Sequence, residues 1–496
     1  MELEYIWRRL MCMVVEKNNV RQSHRAPLEE DFVKPIPAER AYPALGEARL
    51  FLSERTPASE RQAPLVLTFL RHTLSFKERH GLTMKYPTPW KGTGAPYPPE
   101  FERLVPKPEL PEDFHAEADK LAGIACRGPF SLHTKQDGRG GFMLDLHDLE
   151  PLEPRPPFVR VGGVARFERA AKDRLATVSV EFDGRTCTPL AGSAAWAMAE
   201  KRILVALNTY VTVVEHLVHR HLIAANLWSI AMHLAFSVRH PLRVLLQPFV
   251  IETMRVNNDQ VDGLILSEAS NVPSYSGYRL ATVAAVIRDA VAKFDACSLD
   301  PELSARAQGQ LDDPTFVTVE SVVRLWRIFR KFTLAWCEAH LPEIDIQTRI
   351  FCEELDFRVP NGVKKVLGLE DWGALQVKHV AHLLALGMFA ASVGHHVVND
   401  LTRDYMMQFH LMPPAIDADG HPTRGVVYEK RNGMFVSAVK RYFLVDDTVH
   451  LPTPVMKRLW TGFQDDLKAY EAEALRDPSA RRYRVKPRNV GSSIHA

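Results

Sequence analysis

The sequence feature that most constrains the fold is a long apolar stretch over residues 203–236 that carries four histidines. A helix that is apolar nearly all round has to be buried in a protein core or in a membrane. Polar side chains leave no clean span of about 18 apolar residues, so the stretch favours a buried core helix. Such side chains need partners, and binding a metal ion is one way to supply them. The polar side chains that interrupt the stretch are Asn208, Glu215, His216, His219, Arg220, His221 and Asn226.

The composition is that of an ordinary soluble globular protein. Of 496 residues, 46% are hydrophobic and 25% are charged. The 62 basic and 60 acidic side chains give a net charge of +2, which is too balanced to favour nucleic acid as a partner. The six cysteines form no Cys-x-x-Cys pair, which argues against a disulfide scaffold or a zinc ribbon. Charged residues interrupt Met1–Asn19, so no secretion signal is predicted, and we expect a cytoplasmic protein.

Residues 1–105 are predicted to be a charged, proline-rich extension that packs on the remainder of the chain, residues 106–496. Eight prolines lie between Pro87 and Pro111, and proline favours extended chain over helix. No linker marks off an independent domain. The extension can serve as a lid or as a membrane-touching segment, and its residues 1–15 can form either a short interfacial helix or an ordinary docking helix.

The pattern of apolar residues predicts a mainly α protein with a small antiparallel β part. The strand signals, which include an Asp-Gly hairpin turn, fall in Phe142–Leu146, Phe158–Val161, Thr177–Phe182 and Arg185–Thr188. Helical periodicity follows over Trp196–Phe236, Tyr278–Phe294, Val317–His340, Gly373–Tyr405 and Pro454–Glu473.

The spacing of histidines in the two most apolar segments allows a metal site between two helices. His395 and Asn399 are four residues apart and lie about 40° apart on one helical face. His216 and His221 are five residues apart, so they lie about 140° apart on a regular helix. They converge only where the helix widens locally, as in a π-bulge. A metal pair there predicts a helix irregularity near Val218.

The residues alone leave the second helix's ligands open. His396 and Asp400 have the same four-residue spacing as His395 and Asn399, and histidines that are simply satisfied in the core fit the pattern equally well. If a metal is bound, imidazole nitrogens and an amide favour a first-row transition metal over calcium or magnesium.

Several segments together resemble the signatures of the lipoxygenase family. The family has a Trp-x-x-Ala-Lys run, two ligand histidines five residues apart, a His-Pro segment, a Thr-x-x-x-Asn piece and a Ser-x-x-His-x-x-Val-Asn signature. The corresponding segments here are Trp196–Lys201, His216–His221, His240–Leu246, Thr253–Asn257 and Ser392–Asn399. The resemblance implies that residues 106–496 form a lipoxygenase-like helical catalytic domain around a long central helix. The N-terminal β-barrel lipid-binding domain of many members is not evident, as in compact, bacterial-type members.

The resemblance also implies a set of metal ligands. It gives His216, His221 and His395 as the histidine ligands, in preference to His396, and Asn399 as the fourth ligand. The carboxylate of the last residue would be the fifth, which here is Ala496, where the family usually ends in isoleucine. One non-heme iron per chain is the implied cofactor, with manganese as the alternative.

The implied activity is that of a dioxygenase that inserts O2 into the 1,4-diene of a polyunsaturated fatty acid. A ferric hydroxide would abstract hydrogen, and the product would be a hydroperoxide, an oxylipin of lipid metabolism. Ala285 matches the family's alanine-or-glycine stereocontrol position, where alanine implies S-type oxygenation, and the implied channel also includes Leu217 and Thr212. Thr212 and Ala225 stand where glutamine and glutamate are common.

Two other functions remain open. One is a lipoxygenase homologue that acts on a different polyene or a biosynthetic intermediate, and the other is a non-catalytic lipid-binding relative. In each case we expect a monomer that makes at most transient contact with membranes.

Overall fold

The computed structural model describes residue 108 and residues 110–494, apart from Ala191, Val238, 478–481 and most of 251–270 and 428–450. The predicted extension 1–105 and the predicted ligand Ala496 lie outside the described residues.

A five-stranded antiparallel sheet follows two short helices, α1 (Glu112–Ala116) and α2 (Lys120–Cys126). Its strands run in sequence order and pair as neighbours. They are β1 (Thr134–Gln136), β2 (Phe142–Asp145), β3 (Val164–Ala171), β4 (Arg174–Phe182) and β5 (Arg185–Cys187). The predicted Asp183-Gly184 turn joins β4 to β5 with positive φ angles at both residues, the conformation that an Asp-Gly hairpin favours.

One predicted strand is wrong. Phe158–Val161 alternates in sequence but is irregular in the structure. The backbone N–H of Val159 donates to the carbonyl oxygen of Ile416, so this segment pairs with a distant loop instead of the sheet. The strand begins only after Gly162 and Gly163, whose positive φ angles turn the chain into β3.

The long apolar stretch forms one continuous helix, which we call the central helix. It begins at the N-cap Ser193, whose side chain accepts a hydrogen bond from the Trp196 N–H. It runs as α3 (Ala194–Tyr210), a π-helical segment (Val211–Ala225) and α4 (Asn226–Ala235). The predicted helix and its irregularity are both confirmed, since Val218 lies in the middle of the π segment.

The remaining helices of the described chain surround the central helix. The prediction of a mainly α fold is therefore confirmed, with the predicted helices present and α10 the main addition. They are α5 (Pro241–Val250), α6 (Asn271–Tyr275), α7 (Leu280–Lys293), α8 (Pro301–Ala307), α9 (Val317–His340), α10 (Ile346–Arg358), α11 (Lys364–Leu367), α12 (Val377–Phe389), α13 (Thr402–Met406) and α14 (Pro454–Ala474). Short 3-10 turns lie at Pro129–His133, His147–Leu149, Ala296–Leu299, Trp372–Ala374 and Pro487–Asn489.

A second long helix crosses the core as residues 377–406, and we call it the second core helix. It consists of α12, two π-helical pieces (Ala390–Gly394 and Val397–Leu401) and α13. This helix of 30 residues is long and apolar enough to cross a membrane, but 94% of its apolar 18-residue stretch is buried inside the protein. It is therefore buried in the core of this fold.

The central helix and the second core helix touch at a tryptophan–glycine contact. Trp228 Nε1 donates a hydrogen bond of 2.7 Å to the Leu383 carbonyl oxygen. A Cβ atom built on Gly387 would lie 2.5 Å from the Cγ and Nε1 atoms of Trp228. Only glycine lets the indole ring approach the backbone this closely. The contact fixes the two helices relative to each other on one side of the histidines.

Candidate metal centre and adjoining cavity

Three histidines from the two core helices, two of them buried and His216 partly buried, converge on one point. The Nε2 atom of His216 lies 3.0 Å from that of His395. The Nε2 atom of His221 lies 3.2 Å from that of His216 and 3.1 Å from that of His395. They form the one cluster of histidine, cysteine and acidic side chains with metal-binding spacing in the part of the chain that the structure describes. The π segment brings His216 and His221 together because i→i+5 hydrogen bonds place residues five apart above one another.

The distances within this triad suit a single metal ion bound by all three nitrogens. With metal–nitrogen bonds of about 2.1 Å, ligands at right angles are ~3.0 Å apart, and tetrahedral ligands are ~3.4 Å apart. The observed separations of 3.0–3.2 Å lie between these two values. Nitrogen ligands in this arrangement suit a first-row transition metal.

Asn257 fixes the proton of His221 on the nitrogen that faces away from the triad. Asn257 Nδ2 donates a 2.9 Å hydrogen bond to the His221 backbone carbonyl. Its Oδ1 atom must then accept, at 2.9 Å, from His221 Nδ1. The Nε2 atom of His221 therefore carries a lone pair that faces the centre of the triad. Outer partners of metal-binding histidines impose this arrangement. The Thr-x-x-x-Asn piece placed Asn257 in sequence, and the structure supplies its role.

Burial keeps His216 and His221 neutral, as metal binding requires. Burial and, after it, the neighbouring His221 hold the pKa of His216 well below its ordinary value. Burial also lowers the pKa of His221 to about 4, against the opposing effect of its hydrogen bond to Asn257. Lone pairs that face each other at about 3 Å repel, so the geometry fits a cation between them.

The structure separates the two ligand pairs that the sequence left open on the second core helix. His395 belongs to the triad, whereas His396 Nδ1 lies 2.7 Å from Asp400 Oδ2. Asn399 lies one turn after His395 and is 4% exposed. His396 and Asp400 thus partner each other, while Asn399 remains the predicted fourth ligand.

The end of the described chain lies close to the triad. Ile494 is fully buried and packs against Ala225 and Ala391. These two alanines lie four residues from His221 and His395, one on each core helix. The C-terminal segment therefore reaches the point where the two ligand helices meet.

A cavity of about 980 Å³ lies beside the two core helices that carry the triad. Gly394 and Val398, the neighbours of His395 and Asn399, are in its wall. Ala285, predicted as a channel residue, also lines it, from helix α7 on the opposite side. The volume is within the range of small-molecule sites, and much of the wall is apolar.

The other two predicted channel residues do not line this cavity. Leu217 is buried, and Thr212 Oγ1 accepts a 2.9 Å hydrogen bond from Lys430. Lys430 is fully buried and its ammonium lies 4.5 Å from the ring centre of Tyr275. Burial lowers the pKa of Lys430 to about 7. A channel role for Leu217 and Thr212 stays a prediction.

A row of polar residues on the cavity wall was not assigned a role from the sequence. Tyr210, Glu215 and Arg220 are spaced by five, as His216 and His221 are, and the π segment aligns them in the same way. Each of the three lines the cavity, and so does His219. The five-residue spacing is the signal that could have identified them.

Replacing Asn257 with alanine is expected to weaken metal binding about 10–100-fold, the usual cost of losing an outer partner of a ligand histidine. The ring of His221 would lose the acceptor that fixes its tautomer. Competition with a chelator of known affinity measures the change. Asn257→Asp keeps an acceptor for Nδ1–H and should bind metal better than Asn257→Ala. Equal affinity in the wild type and Asn257→Ala would contradict this role.

Two comparisons with known proteins found matches, one by sequence over part of the chain and one by fold. Residues 180–320 match the family model described as Lipoxygenase. No curated protein matches the chain by sequence. Solved structures match at low sequence identity, and this likeness shows the fold alone.

Three of the structural matches show how much of the chain shares this fold. An anaerobic crystal structure of a lipoxygenase deletion variant in complex with arachidonate has a TM-score of 0.67 at 12% identity, covering 88% of this chain and 74% of that one. A coral 8R-lipoxygenase has a TM-score of 0.60 at 13% identity, covering 79% and 64%. A calcium-dependent 11R-lipoxygenase has a TM-score of 0.60 at 14% identity, covering 79% and 63%.

Proposed function

We propose that the chain is a lipoxygenase, a non-heme iron dioxygenase of polyunsaturated lipids, because residues 180–320 match the family model and the fold is that of lipoxygenase structures. Its substrates would be a 1,4-diene and O2, and its product a hydroperoxide. The observation that carries the proposal is the triad of His216, His221 and His395, whose Nε2 atoms are 3.0–3.2 Å apart. Bound iron would supply the one-electron oxidant that takes a hydrogen atom from the doubly allylic carbon.

The remaining ligands that we propose are Asn399 and the terminal carboxylate of Ala496. Ile494 is buried against both ligand helices, and two further residues extend a chain by at most about 7 Å. An amide and one carboxylate beside three imidazoles keep the anionic charge of the site low. That donor set suits iron, with manganese as the alternative.

The protein's own contribution is to hold the ligands and keep water out. Asn257 orients His221, and the apolar environment of the triad excludes solvent that would intercept a substrate radical. The cavity beside the two core helices is the proposed channel, since it is large enough for a folded lipid chain and is lined by Val214, Val286 and Phe389.

The test is oxygen uptake by purified, iron-loaded protein with linoleate and arachidonate. We expect oxygen consumption together with growing ultraviolet absorbance of a conjugated diene, and loss of both in His216→Ala. If the wild type binds one iron per chain and consumes no oxygen with any polyene, it is not a dioxygenase of this kind.

Replacing Ala285 with glycine is expected to change the stereochemistry of the product. Ala285 lines the cavity, and removing its methyl group opens space on the α7 side where oxygen can approach the substrate radical. The family resemblance implies S-type oxygenation with alanine, so the glycine variant should yield a larger share of R product. Chiral chromatography of the reduced products measures that share. Identical chirality in the two proteins would remove Ala285 from the channel.

One observation favours the second candidate, a homologue that acts on a different polyene. The cavity wall carries Glu215, His219 and Arg220, whereas an unmodified hydrocarbon chain offers such groups no hydrogen-bond partner.

A further inference from the structure

Four polar side chains on the cavity wall are linked to one another by hydrogen bonds. Tyr210 OH donates to Glu215 Oε1 at 3.4 Å, and Arg220 Nη2 donates to Glu215 Oε2 at 3.5 Å. His219 Nδ1 lies 3.2 Å from Glu215 Oε1. Tyr210, Glu215, His219 and Arg220 all line the cavity, and so does His133. We call these five residues the polar wall.

Two nitrogen atoms of the polar wall are available for hydrogen bonds to a ligand. Arg220 Nε and His133 Nε2 are buried and have no hydrogen-bond partner among the described residues. The His133 ring packs edge-on against Tyr210, with ring centres 5.5 Å apart, and so is held in place. An unsatisfied buried polar atom is unfavourable, and a ligand that supplies the missing partner would recover that free energy.

The charges of the polar wall limit what that ligand can be. Glu215 neutralises Arg220, so the wall offers hydrogen bonds without an excess of positive charge. A carboxylate entering here would face the Glu215 carboxylate at close range and would lose its hydration. An unsubstituted hydrocarbon would leave the Arg220 and His133 nitrogens without partners. A hydroxyl or carbonyl group avoids both costs, because it is neutral and its oxygen accepts hydrogen bonds.

We propose that the polar wall binds a neutral oxygen function of the substrate, a hydroxyl or carbonyl group. The preferred substrate is then an oxygenated or esterified polyene, and a free, unsubstituted polyunsaturated fatty acid is a poorer one. The preference for a polyene rests on the proposed function, whereas the affinity for the oxygen function does not.

Saturated probes separate the binding site from the reaction. The dissociation constants of stearate, methyl stearate and 12-hydroxystearate are measured by isothermal titration calorimetry on the iron-loaded full-length protein. One or two additional hydrogen bonds should tighten binding of an oxygenated probe about 10-fold relative to stearate. Tighter 12-hydroxystearate places the oxygen on the hydrocarbon chain, and tighter methyl stearate places it at the esterified head. Stearate binding as tightly as both would overturn the proposal.

A pair of histidine variants tests the wall itself. His133→Phe keeps a ring against Tyr210 but removes the ring nitrogen, so the preference for the oxygenated probe should fall to about 2-fold or less. His147→Phe is the matched control, because His147 lines the same cavity but has a 62% exposed side chain, and it should keep the full preference. Far-ultraviolet circular dichroism and iron content verify that both variants are folded. An unchanged preference in His133→Phe would overturn the role of the wall.

The outcome also distinguishes this inference from the proposed function. Tighter binding of oxygenated probes without oxygen uptake from any polyene would reject the dioxygenase and leave the binding site standing. Oxygen uptake with equal affinity for all probes would do the reverse.

Discussion

Replacing His395 with alanine is expected to abolish both metal binding and oxygenation. The substitution removes one of three converging Nε2 atoms and leaves His216 and His221 as the histidine pair on the central helix. Losing a ligand costs more than losing an outer partner, for which ~10–100-fold in affinity is usual. Iron content by mass spectrometry should therefore fall to less than about a tenth of the wild-type value, with oxygen uptake falling at least as far.

The adjacent histidine is the matched control for this experiment. His396 has the same residue type and burial, but it partners Asp400 instead of the triad. His396→Gln keeps a polar side chain beside the Asp400 carboxylate and should retain iron. Iron lost from His396→Gln and retained by His395→Ala would reverse the assignment of the ligand.

Replacing Gly387 with alanine is expected to destabilise the protein by about 1–3 kcal/mol through overpacking. The added methyl group would lie 2.5 Å from the Cγ and Nε1 atoms of Trp228. The indole is fully buried and bonded to the Leu383 carbonyl, so it has no free space into which it can move. The better helix propensity of alanine, about 1 kcal/mol, offsets only part of the strain. Chemical denaturation measures the change in the free energy of unfolding.

A second glycine, at an exposed helical position, isolates the contribution of the contact. Gly462 lies in α14, and a Cβ atom built there meets nothing within 4 Å. Gly462→Ala should therefore stabilise the protein by up to about 1 kcal/mol through helix propensity alone. Opposite signs for the two substitutions are expected. Stabilisation by both would mean that Trp228 yields at no cost.

Helices were the part of the fold that sequence periodicity predicted best. Val317–His340 agrees with the prediction at both ends, because one face packs in the core and the other faces solvent. Helix α10 was missed because Ile346 and Phe357 are exposed, which obscures its apolar face. Phe158–Val161 was wrong because alternation signals an extended segment without naming its partner.

The metal centre was predicted by spacing and resemblance in combination. Spacing showed that His216 and His221 require a widened helix, and the π segment confirms this. Spacing could not choose between His395 and His396, since adjacent residues differ only in the direction in which the helix points them. The polar wall was missed because Tyr210, Glu215 and Arg220 align only in the π register, and His133 joins them from a distant segment. The domain boundary at residue 105, the monomeric state and the cytoplasmic location stay predictions.

The π segment also limits how the length of this chain can vary. A regular helix turns 100° per residue, so deleting one residue within 211–225 would rotate everything that follows by about that angle. Trp228 would then turn away from Gly387, and the same deletion would misalign His216 with His221 and Glu215 with Arg220. A substitution in this segment changes one side chain, whereas an insertion or deletion there disturbs the packing contact, the metal ligands and the cavity wall together.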